Sequence, residues 1–302
     1  MKLVIYGPER RLGALKDDGI VDLGVTLEAL IESGKSGLAA AEASLATGAV
    51  IPLRGTKLHA PHVRGARICC AGGNFADHTA AMASKRTDMK QFGTDLAEIA
   101  REMRKRGIWG FWKIGRDAAG PDENVTYPSH AGRLDYEGEL GIILGRTLKD
   151  AKAADLAGAV WGVTLFDDVS IRDVPEPAAG PLNFALQKNF DGSFAIGPCI
   201  VVGEGLDWEK SPVETLVNGE VRQSFNTRDM VVKFGEYLEF VTRDLTLHPG
   251  DMITSGTAAG TAADSSNIVD GTFAPERFLK PGDVVEVRSP GIGSLKNTIV
   301  AK

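Results

Sequence analysis

Short strand-like segments follow one another through the second half of the chain, and each is bounded by Gly, Pro or Asp. They lie at residues 137–144, 160–166, 196–202, 252–254 and 284–288. Segments of this length, rich in β-branched and aliphatic residues, are typical of β-strands. The chain also contains 36 Gly and 14 Pro without any period, which indicates many turns rather than low complexity. The sequence therefore predicts a turn-rich fold that contains a β-sheet.

Two segments have the apolar spacing of amphipathic helices. The first lies within residues 79–106 and has a candidate N-cap at Thr94. The second places four apolar residues on one face: Phe234, Leu238, Val241 and Leu245.

The first 60 residues read as a small unit of their own. Residues 3–6 predict a strand, residues 10–23 a hairpin that turns at Asp18-Gly19, and residues 26–47 a helix with a Gly break. Prolines at 52 and 61 interrupt the pattern that follows. We expect a small N-terminal domain at 1–60 and a larger domain at 61–302.

Charge and cysteine content narrow the classes of partner and compartment. With 34 Lys and Arg against 40 Asp and Glu, the net charge of the 302 residues is −6, so we expect no nucleic-acid partner. Three cysteines, two of them adjacent, form no disulfide framework and no CxxC pair. Since no stretch approaches the 18 or so apolar residues of a spanning helix, we expect no membrane segment and a cytoplasmic location.

The most informative segment, residues 133–146, contains two glutamates. In a strand Glu137 and Glu139 are separated by two positions, so both carboxylates leave the same face. A solvent-facing strand edge is the plain alternative, but the strongly apolar continuation through Leu144 indicates a buried sheet. Paired charges in such a sheet must be compensated.

A third carboxylate candidate follows the next predicted strand, where Asp167 and Asp168 are adjacent. Three oxygen ligands suit a hard cation such as Mg²⁺, which keeps several positions for water or substrate. Asp-rich strand ends are also common turns, so spacing alone leaves both interpretations open.

Several separated motifs together resemble those of the fumarylacetoacetate hydrolase family, in the same order and over about residues 60–302. The motifs are GNFADH at 73–78, DYEGEL at 135–140, DVSIRD at 168–173, QKNFD at 187–191, VNGE at 217–220, LHPGD at 247–251, SGT at 255–257 and LKPGD at 279–283. Single pieces such as PGD are weak because they are common turns. DYEGEL followed by DVSxRD and a lysine segment is specific.

The resemblance implies an α+β fold, a mixed and highly curved β-roll with peripheral helices, usually dimeric. It also implies a divalent metal, Mg²⁺ with Mn²⁺ or Ca²⁺ as alternatives, held by Glu137, Glu139 and Asp168. Lys188 matches an active-site lysine near the metal and substrate. Three carboxylates and Mg²⁺ sum to one negative charge, which one buried ammonium would cancel.

Two further positions match residues that contact substrate in the family. Arg172 stands beside the metal aspartate and could hold that aspartate or a substrate carboxylate in bidentate fashion. Thr257 matches a loop threonine that contacts substrate through its hydroxyl or backbone. For Thr257, an ordinary turn residue in a Gly-rich loop is the alternative.

One histidine matches the family's general base, and its usual partner is missing. His78 falls where the resemblance places a base that activates water. Related acylpyruvate hydrolases have a glutamate three residues later, and this chain has Ala81. We expect a lid within 79–106 to supply a substitute, with Glu98 and Glu102 as candidates. Downstream, Lys113 could line the site or a dimer contact.

The expected function is a metal-dependent hydrolase that cleaves a C–C bond in a 2,4-dioxo acid, an acylpyruvate-type substrate, through an enolate. The alternative on the same metal site is a decarboxylase, isomerase or dehydratase of a 2-oxo acid. A binding protein without turnover is a third hypothesis, supported only by the missing glutamate. We expect a homodimer with a small-molecule substrate.

Overall fold

The computed structural model describes residues 1–85, 93–173, 181–203 and 207–302. Its strands are β1 (Lys2–Tyr6), β2 (Arg11–Lys16), β3 (Gly19–Asp22), β4 (Val50–Pro52), β5 (Leu58–His59), β6 (Ile68–Ala71), β7 (Gly110–Lys113), β8 (Asn124–Thr126), β9 (Arg133–Asp135), β10 (Gly138–Leu144), β11 (Val160–Asp167), β12 (Ser170–Asp173), β13 (Ala195–Val202), β14 (Pro212–Val217), β15 (Glu220–Asn226), β16 (Met252–Thr254), β17 (Ile268–Val269), β18 (Thr272–Phe273), β19 (Val284–Ser289) and β20 (Gly293–Val300).

The α-helices of the described residues are short and lie between these strands. They are α1 (Leu27–Glu32), α2 (Gly34–Thr47), α3 (Ala76–Ala83), α4 (Leu96–Arg106), α5 (Pro181–Lys188), α6 (Phe234–Val241) and α7 (Ala262–Ser265). Short 3₁₀ turns lie at Ala153–Gly158, Thr227–Asp229 and Pro275–Arg277. None of the described helices combines the length and the apolar character needed to cross a lipid bilayer.

Eleven of the described strands form one sheet, in the order β4-β3-β2-β1-β13-β11-β10-β16-β6-β7, with β5 beside β1. Most neighbours are antiparallel, whereas β16 and β6 run parallel. The expected α+β class with a mixed sheet is thereby confirmed.

A second sheet of five strands, in the order β15-β14-β19-β20-β8, packs against one face of the large sheet. Successive residues of β10 show the alternation that this requires. Ile142 lies in the core between the two sheets, whereas Ile143 lies in a second core on the opposite face, with residues of α1 and α2. Because β10 is buried on both faces, its sequence is apolar from Leu140 to Leu144, and Glu139 is the one charged side chain within it.

The strands expected from composition are present with small shifts at their ends, as β10, β11, β13, β16 and β19. The N-cap predicted for the first amphipathic helix, Thr94, was wrong by one residue. Asp95 caps α4, since its side chain accepts from the amides of Ala97 and Glu98. The second helix ends at Val241, so Leu245 lies beyond it.

The first 60 residues contain the expected hairpin of β2 and β3 and the helices α1 and α2, which are separated at Ser33. Their strands extend the large sheet, because β1 pairs with β13 in antiparallel register, Lys2 opposite Val201. The division at residue 60 stays a prediction, and the sheet continues across it.

Candidate active site

Three carboxylates meet where β10 and β11 lie side by side. Glu139 lies in β10, Glu137 directly precedes it, and Asp168 directly follows β11. Antiparallel pairing of Gly138 with Asp167 brings these ends together, and the Asp168 amide donates to the Glu137 carbonyl at 2.9 Å. One oxygen from each of Glu137, Glu139 and Asp168 lies within 4.8 Å of the others, and all three side chains are buried. The residues predicted as metal ligands therefore form one cluster.

Two lysines enter this cluster from other elements. The ammonium of Lys188, the last residue of α5, donates to Glu137 Oε2 at 2.5 Å, Asp168 Oδ2 at 2.8 Å and Ser170 Oγ at 2.6 Å. Lys113, at the end of β7, forms an ion pair with Asp168 Oδ1 and donates to the Ser193 carbonyl at 2.8 Å. Lys113 therefore lies at the carboxylate cluster, and the alternative of a dimer contact stays a prediction.

Arg172 contacts carboxylates other than the one that the sequence suggested. Its Nε donates to Asp135 Oδ2 at 2.8 Å, and its terminal nitrogen donates to Glu137 Oε1. Asp135 in turn accepts from the amides of Ala262 at 2.7 Å and Ala263 at 3.1 Å, at the start of α7. Sequence reasoning quoted Asp135 within the DYEGEL motif but gave it no role. It ties α7 to Arg172 and, through Arg172, to Glu137.

The charges of the cluster are unevenly compensated. Burial raises the pKa of Glu137, but Arg172 and Lys188 lower it by more, so that this carboxyl is held well below its usual range. Burial and the nearby Asp168 and Glu137 raise the pKa of Glu139 well above its usual value. A carboxylate crowded in this way needs another cation, and three buried carboxylates are the donor set that hard divalent ions prefer. The residues present therefore fit a divalent metal ion.

His78, in α3, has a carboxylate partner that the sequence analysis did not anticipate. Its Nδ1 lies 2.8 Å from Asp264 Oδ2, in α7. The prediction that Glu98 or Glu102 would be the carboxylate partner of His78 was wrong. Glu98 is exposed on α4, and Glu102 forms an ion pair with Lys105 on the same helix. Asp264 lies 186 positions away from His78 in the sequence.

Backbone groups fix the orientation of this pair. Asp264 Oδ2 also accepts from the amides of Gly260 at 3.1 Å and Thr261 at 3.2 Å. A carboxylate at Nδ1 makes that nitrogen the donor, so the proton-accepting nitrogen of His78 is Nε2. Burial lowers the pKa of His78, but the charge and hydrogen bond of Asp264, with Glu137, raise it by more, and the net shift is upward.

Thr257 lies beside the cluster, and its hydroxyl already has partners. It donates to the Gly138 carbonyl at 3.0 Å and accepts from the Gln223 amide at 2.7 Å. The neighbouring Gly256 amide donates to Glu139 Oε2 at 3.0 Å. Through these hydrogen bonds the loop orients Glu139 and the start of β10. A substrate contact by Thr257 stays a prediction.

These groups line a cavity of about 520 Å³. Its charged end carries Glu137, Glu139, Arg172, Lys188 and His78. Mostly aromatic and aliphatic side chains from α3, α4, β7, α5 and the segment before α6 line the remainder, together with Arg106 at the end of α4. Residues 86–92 of the expected lid lie outside the described residues. A buried charged end joined to an apolar remainder is the usual form of a small-molecule site.

Comparison with known proteins identifies the family of this chain. Residues 67–300 match the sequence model described as fumarylacetoacetate (FAA) hydrolase C-terminal. The mitochondrial oxaloacetate tautomerase FAHD2A of Bos taurus is 31% identical over 306 residues, 98% of this chain and 88% of that protein.

Two solved structures resemble the whole chain. The fumarylacetoacetate hydrolase of psychrophilic Exiguobacterium antarcticum is 27% identical, with a TM-score of 0.76 over 100% of both chains. The maleylpyruvate hydrolase of Sphingobium sp. SYK-6, in complex with manganese(II) and pyruvate, is 25% identical, with a TM-score of 0.76 over 100% of this chain and 99% of that one. This chain belongs to the fumarylacetoacetate hydrolase family, whose members are enzymes.

Proposed function

We propose that the protein is a metal-dependent hydrolase that cleaves the C3–C4 bond of a 2,4-dioxo acid. The observation that carries the proposal is the position of His78, which is paired with Asp264 and lines the same cavity as Glu137 and Glu139. An oriented base beside a metal site is the equipment that hydrolysis needs. Although position 81 is Ala, His78 has a carboxylate partner in Asp264, and this contact supports hydrolysis.

Glu137, Glu139 and Asp168 would hold the ion, and we propose Mg²⁺, with Mn²⁺ or Ca²⁺ as alternatives. The manganese(II) in the maleylpyruvate hydrolase complex supports a divalent ion. When bound, such an ion polarises the 2-oxo acid and stabilises negative charge on its oxygen.

In the hydrolytic reaction His78 Nε2 accepts a proton from water as the water oxygen bonds to C4. The C3–C4 bond then breaks, and its electron pair passes to C3 of the departing pyruvate enolate. The proton held by His78 can return to C3, which gives pyruvate and a carboxylic acid. Asp264 stabilises the imidazolium between these two transfers. The Lys188 ammonium, already among the carboxylates, offsets negative charge at the same end of the cavity.

A second candidate is a tautomerase or isomerase, favoured by the relative called oxaloacetate tautomerase, which matches 98% of this chain. His78 would then move a proton between oxygen and C3 of a 2-oxo acid, and no water would be consumed. Decarboxylation and dehydration of a 2-oxo acid are further alternatives on the same site.

The two candidates are separated by supplying Mg²⁺-loaded protein with 2,4-dioxopentanoate in ¹⁸O-water and, separately, with enol-oxaloacetate. Hydrolysis predicts equal amounts of pyruvate and acetate, with the label in acetate. His78→Ala should lower kcat about 10²- to 10⁴-fold, as for loss of a general base, and Glu98→Gln serves as the control. Rapid conversion of enol-oxaloacetate without cleavage of any 2,4-dioxo acid would overturn hydrolysis in favour of the second candidate.

The remaining expectations belong to the same proposal. We infer a homodimer, a curved roll built from the two sheets, and a cytoplasmic location. Three unpaired, buried cysteines support a reducing compartment.

A further inference from the structure

The end of the cavity away from the carboxylates has an aromatic wall of three rings, Trp109, Phe111 and Phe184. The ring centres of Phe111 and Phe184 lie 5.5 Å apart, and those of Phe184 and Trp109 lie 6.1 Å apart, both in edge-to-face geometry. β7 carries Phe111, Trp109 directly precedes that strand, and Phe184 lies on α5.

This wall is continuous with the charged end. The Lys188 ammonium, which contacts Glu137 and Asp168, lies 5.0 Å from the centre of the Phe111 ring. A molecule whose 2-oxo acid group binds at the charged end of the cavity would therefore extend its other end along Phe111 toward Phe184 and Trp109.

Trp109 is held in place although it is half exposed. Its carbonyl accepts from the Gly72 amide at 3.1 Å and from the Tyr237 hydroxyl at 2.5 Å. The indole lies against Gly72 and Gly73, so closely that a Cβ atom at Gly72 would come within 2.4 Å of the ring. The glycine pair thus makes room for the indole.

Large apolar surface is left open on this wall. Trp109 is 52% exposed and Phe184 is 38% exposed. A ring that packs against backbone, as Trp109 does at Gly72 and Gly73, and still lines a cavity can bind a flat group without first becoming ordered, which favours affinity.

We propose that Trp109 and Phe184 form a subsite for an uncharged aromatic acyl group. This inference rests on the proposed function and narrows its substrate to 2,4-dioxo acids with an aryl group on C4. The three rings favour a phenyl substituent over a methyl group. Arg106 also lines the cavity, so the dicarboxylate substrate in the test distinguishes an aryl subsite from a carboxylate subsite.

The test compares kcat/KM for 2,4-dioxo-4-phenylbutanoate, 2,4-dioxopentanoate and 2,4-dioxohexanedioate. Two edge-to-face contacts predict a preference of about 10- to 100-fold for the phenyl substrate over the methyl one. Trp109→Ala should lower kcat/KM for the phenyl substrate about tenfold and leave the methyl substrate within about twofold. Trp109→Phe should keep most of the preference, and Val50→Ala, an exposed apolar side chain on β4, is the matched control. Equal rates on phenyl and methyl substrates, or a preference for the dicarboxylate, would overturn the subsite.

A binding measurement keeps this test independent of turnover. Calorimetry with 2-oxo-4-phenylbutanoate and 2-oxopentanoate, neither of which has a C4 carbonyl to hydrolyse, should show tighter binding of the phenyl compound. That difference should disappear in Trp109→Ala. If it is present while no 2,4-dioxo acid is cleaved, the subsite stands and the hydrolase assignment fails. Equal affinity of the two compounds overturns the subsite.

Discussion

Two substitutions of Asp264 distinguish what its hydrogen-bond acceptor and its negative charge each contribute to His78 as a general base. Asp264→Ala removes both the acceptor at Nδ1 and the negative charge. Asp264→Asn removes only the charge, because the amides of Gly260 and Thr261, at 3.1 and 3.2 Å from Oδ2, require an oxygen at that position. The asparagine oxygen would therefore still face His78 and would keep Nε2 as the accepting nitrogen.

The two variants should differ in magnitude. A hydrogen bond to a charged group contributes about 1.5–3 kcal/mol and a neutral one about 0.5–1.5 kcal/mol, so Asp264→Asn should lose about tenfold in kcat. Asp264→Ala also frees the ring to adopt the wrong tautomer or orientation, and it should lose about 10²- to 10⁴-fold.

The pH profile of kcat/KM on a verified 2,4-dioxo acid gives a second readout. His78 works as a base only when neutral, so the rate should rise with pH through a pKa above the ordinary histidine value, because Asp264 raises it. Both variants lose the negative charge, and the rising limb should move to lower pH. Glu98→Gln, which removes an exposed carboxylate from α4, should leave both rate and limb unchanged. An unmoved limb together with a parental rate in Asp264→Ala would refute the assignment of this pair.

Three further outcomes are expected. Glu139→Gln should weaken Mg²⁺ binding at least about tenfold by calorimetry, while the metal-free variant, relieved of a crowded buried charge, should unfold at no lower urea concentration than the parent. Parental metal affinity would contradict the ligand set. Asp135→Ala should cost about 3–5 kcal/mol in the free energy of unfolding, because it removes a carboxylate partner from buried Arg172 and the acceptor of the first amides of α7. Asp18→Ala, at an exposed position, is the control, and equal stability of Asp135→Ala and the parent would contradict the bridging role. Sedimentation at micromolar concentration should give a dimer, and a species of 32.1 kDa would count against it.

Local sequence patterns predicted the main strands and the shared face of Glu137 and Glu139, whereas Asp168 joined the predicted cluster only through the family resemblance. Apolar runs such as that of β10 have no other stable place than a covered sheet, and the spacing of Glu137 and Glu139 alone put both side chains on one face. β14 and β15 were not predicted as strands. Their alternation includes Glu, Thr, Arg, Gln and Ser, which a surface loop would also carry.

The partner of His78 could not be found in the same way. Asp264 lies in a stretch of Gly, Ala, Thr and Ser with no apolar period, and only the three-dimensional fold places it beside α3. One local signal was available. Thr261 and Asp264 form a capping box, which marks the start of a helix a few residues after the Gly256-Thr257 loop. A helix that begins beside that loop would have directed attention to its first turn.

The pairing of β1 with β13 has a consequence for synthesis of the chain. Lys2 and Val201 are opposite each other, so the strand made first waits for one made about two thirds of the way through translation. Until residue 202 leaves the ribosome, β1 has β2 on one side, but Lys2 and Leu3 lack their partner on the other, where β5 pairs only with Ile5 and Tyr6. Unpaired edges are sites of aggregation, and long-range pairing is slow. The nascent protein should therefore depend on chaperones during this interval, and a pause in translation before residue 202 should lower the yield of folded protein.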